Sequence, residues 1–277
     1  KMGIILGFTG PIESLTPAMA ASAELAFNEA SDSGKLLGGQ KISVERADST
    51  CVDSAAATTA AEGLVSNGVV AIMGADCSGV TGAIATNVAV PNGVVMISPS
   101  ATSPGLTDLN DNGYFFRTAP SDARGGQILA DITKDRKVKS VAITYTNNDY
   151  GKGLADVYKA AVEAHGIKVT TVAAHEDGKA DYSAEVATLA SAGGDAVAVI
   201  GYIDQGGKGI IQASLDSGAF DKFILSDGMI GDSLTDNFGK ALNKSFGSLP
   251  GSTGKGAGVF ADVAKAGGID SSGPYTG

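Results

Sequence analysis

The feature that most constrains this chain is an alternation: apolar runs of four to six residues recur between longer segments whose apolar positions fall at helical spacing. Such alternation is the mark of βα units wound around a parallel sheet. Strands are predicted at 3–8, 41–46, 69–73, 94–97, 140–145, 168–173, 196–200 and 222–225. Helices are predicted at 17–30, 54–66, 81–90, 122–134, 154–165, 183–192 and 207–217, several opening on a Ser or Asp cap. Thirty-nine glycines among 277 residues, about twice the usual ~7%, fit many tight strand-to-helix turns.

The pattern breaks twice into extended chain, at GYFFRTAP (113–120) and at KSFGSLPGSTG (244–254). Between the breaks lies a self-contained βα block. At roughly 100 to 200 residues per domain, 277 residues favour two units. The expected architecture is α/β, with two doubly wound lobes joined by at least two crossings. One lobe takes 1–119 plus 249–277, and the other takes 120–248.

Charge and hydropathy exclude several classes. Twenty basic against thirty acidic residues leave a net charge of −10, which repels phosphate backbones, so no nucleic-acid partner is expected. No stretch reaches 18 uninterrupted apolar residues, and the first ten lack the basic start, apolar core and cleavage site of a signal peptide. That leaves a cytoplasmic chain or one already processed. Cys51 and Cys77, 26 residues apart, match no metal or CxxC motif. They either pair, in an oxidising compartment, or stay as separate buried thiols.

In doubly wound sheets, ligands sit beyond the carboxyl ends of the strands. Three turns at such ends stand out: GADCSGVTGA after 69–73, SPSATSPGLT after 94–97 and SDGMIGD after 222–225. Their small hydroxyl residues and glycines at helix starts leave backbone N–H groups for a carboxylate or phosphate. Ser78, Ser100 and Thr102 are candidate ligands on adjacent loops, or ordinary caps and turn residues. Asp227 is a candidate partner for a cation, or a solvated turn residue. Tyr150 in NNDYGKGL and Tyr202 in GYIDQGG face the same choice between the site and core packing.

Catalytic machinery is not visible. There is no GxSxG elbow, no GxxxxGK[ST] loop and no GxGxxG after the first strand, and His165 and His175 are expected at the surface, away from the strand ends. No enzyme activity, metal or organic cofactor is expected.

The order of these segments resembles the type I periplasmic solute-binding proteins of ABC transporters, in particular the leucine/isoleucine/valine-binding family. The likeness is carried by IILGFTGPIESLTPAMAASAELAFNEA, the pair Cys51 and Cys77, CSGVTGA, ISPSATSPGLT, YFFRTAPSD, NNDYGKGL and the closing GPYTG. It implies two Rossmann-like lobes joined by a multi-strand hinge, a Cys51–Cys77 disulfide, export to the periplasm, and a monomer that presents an amino acid to a membrane permease. By that resemblance Ser78 and the Thr102 N–H hold the α-carboxylate. The Ser100 carbonyl, in the loop shared with Ala101, the Thr102 hydroxyl and Asp227 hold the α-ammonium. Tyr150 and Tyr202 approach from the closing lobe.

Two departures from the family pattern bear on the ligand. Where branched-chain binders carry large apolar groups, this chain offers Glu13 and Asp76 and has no Trp. If either carboxylate faces the ligand, a cationic or hydrogen-bonding side chain is favoured, because an unpaired buried charge is costly. Both could instead face solvent. The second departure is length: the family continues through further helices and a third crossing, whereas this chain stops at Gly277, with a helix expected around 259–266 and Tyr275 at a position similar to a pocket aromatic. Missing that material, both lobes are expected to leave apolar surface uncovered.

Overall fold

The computed structural model describes residues 1–251 and 254–277. The first sheet is built from β1 (Met2–Leu6), β2 (Val44–Asp48), β3 (Ala71–Gly74), β4 (Val95–Ser98) and β5 (Phe115–Arg117), in the order β2-β1-β3-β4-β5. The second is built from β6 (Ser140–Thr146), β7 (Lys168–His175), β8 (Ala196–Ile200), β9 (Phe223–Leu225) and β10 (Phe246–Gly247), in the order β10-β9-β8-β6-β7. Every pairing is parallel. Read from its second strand, each sheet winds identically, with its first strand between the second and third. Each lobe is thus doubly wound, and its switch point lies beside its first strand.

Helices α1 (Thr16–Asp32), α2 (Ser54–Ser66), α3 (Ser78–Ile84), α4 (Asp122–Asp135), α5 (Asp149–Ala164), α6 (Ser183–Ala192), α7 (Gly206–Ser217), α8 (Asp232–Phe238) and α9 (Lys255–Ala266) flank the sheets. Because helices cover both faces, inner strands are apolar throughout: every residue of AVAVI in β8 is buried. Side-chain caps set several helix starts. Asp53 accepts from the N–H groups of Ala55 and Ala56 ahead of α2, Ser121 accepts from that of Ala123 ahead of α4, and Asn148 accepts from that of Gly151 in α5.

The structure departs from the sequence expectations in several places. The stretch at 113–120 is not only a crossing, since Phe115–Arg117 pairs with β4 as the sheet edge. The predicted crossing at 244–254 contributes the two-residue strand β10 and is described only to Gly251; residues 252 and 253 lie outside the described residues. Helix α3 starts at Ser78 rather than 81 and loosens into a π-helical turn over Ala85–Ala89. Helix α8 was not predicted. In its seven residues only Leu234 is fully buried, with Phe238 packing partly buried against the same cluster, too short a period to read from sequence.

His175 is buried, not at the surface. It ends β7, where Nδ1 meets the Thr144 hydroxyl at 2.8 Å, and burial pushes its pKa down to about 4. The disulfide that the resemblance implies is present. Cys51 and Cys77, with Cα atoms 5.2 Å apart, tie the loop after β2 to the turn after β3. Gly74 ends β3 at a positive φ of 126°, and a Cβ there would collide with the Ile5 carbonyl, so only glycine lets the chain leave the sheet towards Cys77 and Ser78.

Apolar surface is uncovered on both sheets. Ile97 and Phe116, register partners on β4 and β5, are 43% and 52% exposed, and Val172 on β7 also faces solvent. After β10 the chain returns to the first sheet: Gly267 lies against Leu25 of α1, and Tyr275 packs with the cluster of Ile4, Leu6 and Met19. Among the described residues no helix is long and apolar enough to cross a membrane.

Candidate functional site

The carboxyl ends of the two sheets face each other. The turn after β3 delivers Asp76, Cys77 and Ser78, and the loop after β4 delivers Ser100, Ala101 and Thr102. From the other sheet, Tyr150 arrives in the first turn of α5, Tyr202 after β8 and Asp227 after β9. Tyr275 comes from the returning C-terminal segment. Ser78, Ser100, Asp76, Tyr150, Tyr202, Asp227 and Tyr275 line one cavity of about 30 Å³, room for a water or two. A separate outer groove of about 500 Å³ lies between Cys51, Gly79 and the second-lobe residues Asn147–Asp149, Glu176, Asp177 and Gln205.

Asp227 is the centre of this arrangement. It is 8% exposed, and its partners are phenols: Tyr150 donates to Oδ1 at 2.7 Å and Tyr275 donates to Oδ2 at 2.6 Å. Burial raises its pKa, against the pull of the two phenols. The Tyr150 oxygen also accepts from the Gly228 N–H at 3.2 Å and lies 2.9 Å from the Ser226 hydroxyl. Its ring stacks on Tyr202 with centroids 5.2 Å apart. Gly228 must be glycine at this place, because a Cβ would fall 2.6 Å from the Gly201 carbonyl oxygen and 3.0 Å from the Tyr150 hydroxyl.

On the first-lobe side, the Ser78 hydroxyl accepts from the Ser103 N–H at 3.1 Å, which leaves its proton to donate. Ser100 donates its hydroxyl to the Asp76 carbonyl at 3.1 Å. The Ala101 carbonyl is taken by Arg117 at 3.1 Å. The Thr102 hydroxyl is buried without a hydrogen-bond partner.

Glu13 and Asp76 lie in different surroundings. Glu13 is exposed and lines none of these cavities. Asp76 lines the small cavity, but both its oxygens are engaged: Oδ2 accepts from the Gly7 N–H at 2.6 Å, and Oδ1 from the Ser49 hydroxyl and the Cys77 N–H at 3.1 and 2.9 Å. Burial still raises its pKa. Asp76 thus ties the turns after β1, β2 and β3 to one another and sets the start of α3, where Ser78 sits.

Sequence reasoning missed Asp122, Arg117, Ser226 and Asn148. Asn148 Nδ2 donates to the Tyr202 hydroxyl at 3.4 Å, and Arg117 binds the carbonyls of Ala101 and Ser103. Asp122 is 4% exposed at the start of α4, and its backbone N–H donates to the Thr102 carbonyl at 2.9 Å. An acid in the first turn of a helix reads as a cap, and only the path of the crossing turns it inward.

The order of the strands, the disulfide and the facing hydroxyl and acidic groups converge on one family, and residues 1–254 match the family described as "Periplasmic binding protein". The chain belongs to the periplasmic binding protein family. This periplasmic binding protein is 33% identical over 207 residues to "Leu/Ile/Val-binding protein homolog 3" of Brucella melitensis, covering 74% of the chain and 55% of the relative. It is 30% identical over 253 residues to the "Leucine-, isoleucine-, valine-, threonine-, and alanine-binding protein" of Pseudomonas aeruginosa, covering 90% of the chain and 66% of the relative. The chain thus spans about half to two thirds of the length of these relatives.

Solved structures agree on the fold. A branched-chain amino acid transporter substrate-binding protein from Streptococcus pneumoniae, in complex with isoleucine, superposes with a TM-score of 0.81 at 24% identity, over 96% of this chain and 76% of that one. A type 1 periplasmic binding protein from Bordetella pertussis gives 0.83 at 22% identity, over 96% and 73%. This periplasmic binding protein therefore has the two-lobed type I architecture, each lobe carrying one of the five-stranded sheets.

Proposed function

We propose that this chain is the ligand-capturing part of an exported solute-binding protein, which takes an amino acid between its lobes and presents it to the permease of an ABC transporter. It works as a monomer with lobes 1–119 plus 249–277 and 120–248. The observation that carries this reading is Asp227, a buried carboxyl at the facing strand ends whose partners are two phenols rather than a cation. An ammonium there gains a charge-assisted bond of ~1.5–3 kcal/mol. The names of the Brucella and Pseudomonas relatives support an amino acid as the solute.

The remaining roles follow the groups left unengaged. The Ser78 hydroxyl has a proton to donate to the α-carboxylate, with the Ser78 and Thr102 N–H groups beside it. The Thr102 hydroxyl and the Ser100 carbonyl serve the ammonium with Asp227, while Ala101, Tyr150, Tyr202 and Tyr275 wall the site. Asp76 acts through the turn it holds. Three such bonds in a water-free cleft reach the ~8 kcal/mol of a micromolar complex. A cavity of about 30 Å³ cannot admit an amino acid, so the lobes part for capture and close on the ligand.

A second reading concerns the side chain. The outer groove is lined by Asp149, Glu176 and Asp177 with Asn147, Asn148 and Gln205, a lining that favours a polar or cationic side chain over leucine. A thermal-shift screen of the twenty amino acids with small cationic and acidic metabolites separates the two. A ligand at about 100 times its Kd adds ~2.7 kcal/mol of stability. Shifts with leucine, isoleucine and valine support the first reading, and shifts confined to lysine, arginine or polar solutes support the second. No shift with any amino acid would overturn both. Recovery of the ligand unchanged after prolonged incubation separates capture from turnover.

A further inference from the structure

We propose that Asp204 is a positioning residue that latches the second lobe onto the turn after β1, fixing the apolar wall of the cavity without touching the solute. This rests on capture by closure of the lobes, and not on which solute is taken.

The turn after β1 is built on hydrogen bonds between residues three apart. The Glu13 N–H donates to the Gly10 carbonyl at 3.3 Å, and the Leu15 N–H donates to the Ile12 carbonyl at 2.9 Å. The rung between them would join the Ser14 N–H to the Pro11 carbonyl. Asp204, from the segment between β8 and α7 of the other lobe, takes both of those groups. Its own N–H donates to the Pro11 carbonyl at 3.0 Å, and its Oδ2 accepts from the Ser14 N–H at 2.9 Å. One residue thus fills a rung of a turn 190 positions away in the chain.

The second lobe holds the Asp204 carboxylate ready. Oδ1 accepts from the Ser233 hydroxyl of α8 at 3.2 Å, and Lys208 Nζ of α7 lies 4.0 Å from the same oxygen while donating to Ser233 at 3.0 Å. The side chain is 10% exposed, so water competes weakly for it. These partners stay with Asp204 when the lobes part. Only the bonds to Pro11 and Ser14 break, and those two groups can then close their own rung. Opening therefore strands no polar group, which makes the latch reversible.

The turn that Asp204 grips is also a wall of the cavity. Ile12 and Leu15, with Met19 beyond them, line it together with Tyr150, Tyr202 and Asp227. Leu15 packs against the apolar clusters of both lobes, and its Cδ2 lies where a Cβ on Gly231 would come within 3.0 Å. Glycine at 231 lets the turn settle that closely. Asp204 therefore sets the position of Ile12 and Leu15 from outside the cavity, and its loss should speed escape of the solute more than it slows entry.

The test compares the 277-residue wild type with Asp204→Ala and Asp204→Asn, by X-ray scattering without added solute and by stopped-flow kinetics with L-leucine. Asp204→Ala is expected to enlarge the radius of gyration and to release leucine about tenfold faster, the low end of what a hydrogen bond to a charged group contributes. Its association rate should stay within about twofold of wild type, because entry precedes closure. Asp204→Asn keeps an acceptor for the Ser14 N–H and should release leucine only about threefold faster, since a neutral bond is roughly half as strong. Asp204→Ala with wild-type radius and wild-type release would overturn the latch, as would a loss confined to association. Asp204→Asn no better than Asp204→Ala would place the effect in the Lys208 pair within one lobe and overturn the bond between lobes. If neither variant folds, hydrogen exchange of the Ser14 amide in the wild type decides: protection supports the latch, and exchange at the rate of a free amide overturns it. Failure of the wild type to bind leucine would sink the leucine reading, while the radii and the Ser14 exchange would still decide the latch.

Discussion

Tyr275 and Asp227, 48 residues apart in the chain, meet through a 2.6 Å hydrogen bond that joins the C-terminal segment on the first sheet to the turn after β9 in the second. The bond crosses the cleft. Its phenol packs with Ile4, Leu6 and Met19, so one end is anchored in apolar contacts and the other in a buried carboxyl.

Tyr275→Phe keeps the packing and removes the bond. A hydrogen bond to a charged group contributes ~1.5–3 kcal/mol, and the loss of this one is expected to cost about 1–2 kcal/mol of stability in denaturant unfolding. X-ray scattering of the free protein should show a larger radius of gyration as the lobes part more often. An unchanged radius would mean that the other contacts hold the lobes together.

Asp227→Ala strips the buried partner of the ammonium. Amino-acid binding is expected to weaken by at least ~2 kcal/mol, about thirtyfold, in calorimetry. Unchanged affinity would remove Asp227 from the site.

The Cys51–Cys77 bond closes a loop of 26 residues and fixes the turn that presents Ser78. On the chain-entropy account it stabilises the fold by ~3–4 kcal/mol. Cys51→Ala with Cys77→Ala should lose about that much in urea unfolding. A thiol count of the purified chain without reductant should find none free, and two free thiols would contradict an exported protein.

Stability should fall with pH above neutrality. Asp122 titrates at about 8 in the folded protein against 3.8 for an ordinary aspartate, so the folded state holds the extra proton and loses stability as pH rises through that window. Asp76 and Asp227 are raised too and act in the same sense. His175 works oppositely: lowered to about 4 from 6.5, it makes stability rise with pH until 6.5 and is then spent. From pH 6.5 to 8 the carboxyls act alone, at about 1.4 kcal/mol per pH unit for each group that titrates. The melting temperature is expected to drop over that range, and Asp122→Asn to flatten the drop. A wild-type curve that rises from 6.5 to 8 would rule out a protonated Asp122.

The sequence by itself determined the winding. Apolar runs such as AVAVI at 196–200 and the caps at Asp53 and Ser121 are local signals, and local signals survive without knowing what packs where. The same is true of the strand-end turns holding Ser78, Thr102 and Asp227, which topology places at the mouth of any doubly wound sheet. What the tertiary structure decided is which polar groups are spent and which are free. Asp76 and Glu13 look alike as acidic residues in turns, yet three hydrogen bonds hold one inside while the other faces water. His175 reads as polar and is buried, and Asp122 reads as a cap and is buried with its backbone N–H on the Thr102 carbonyl. The physical reason is that burial and hydrogen-bond satisfaction depend on neighbours supplied by distant chain, from residue 7 to residue 275, and no window of sequence contains them.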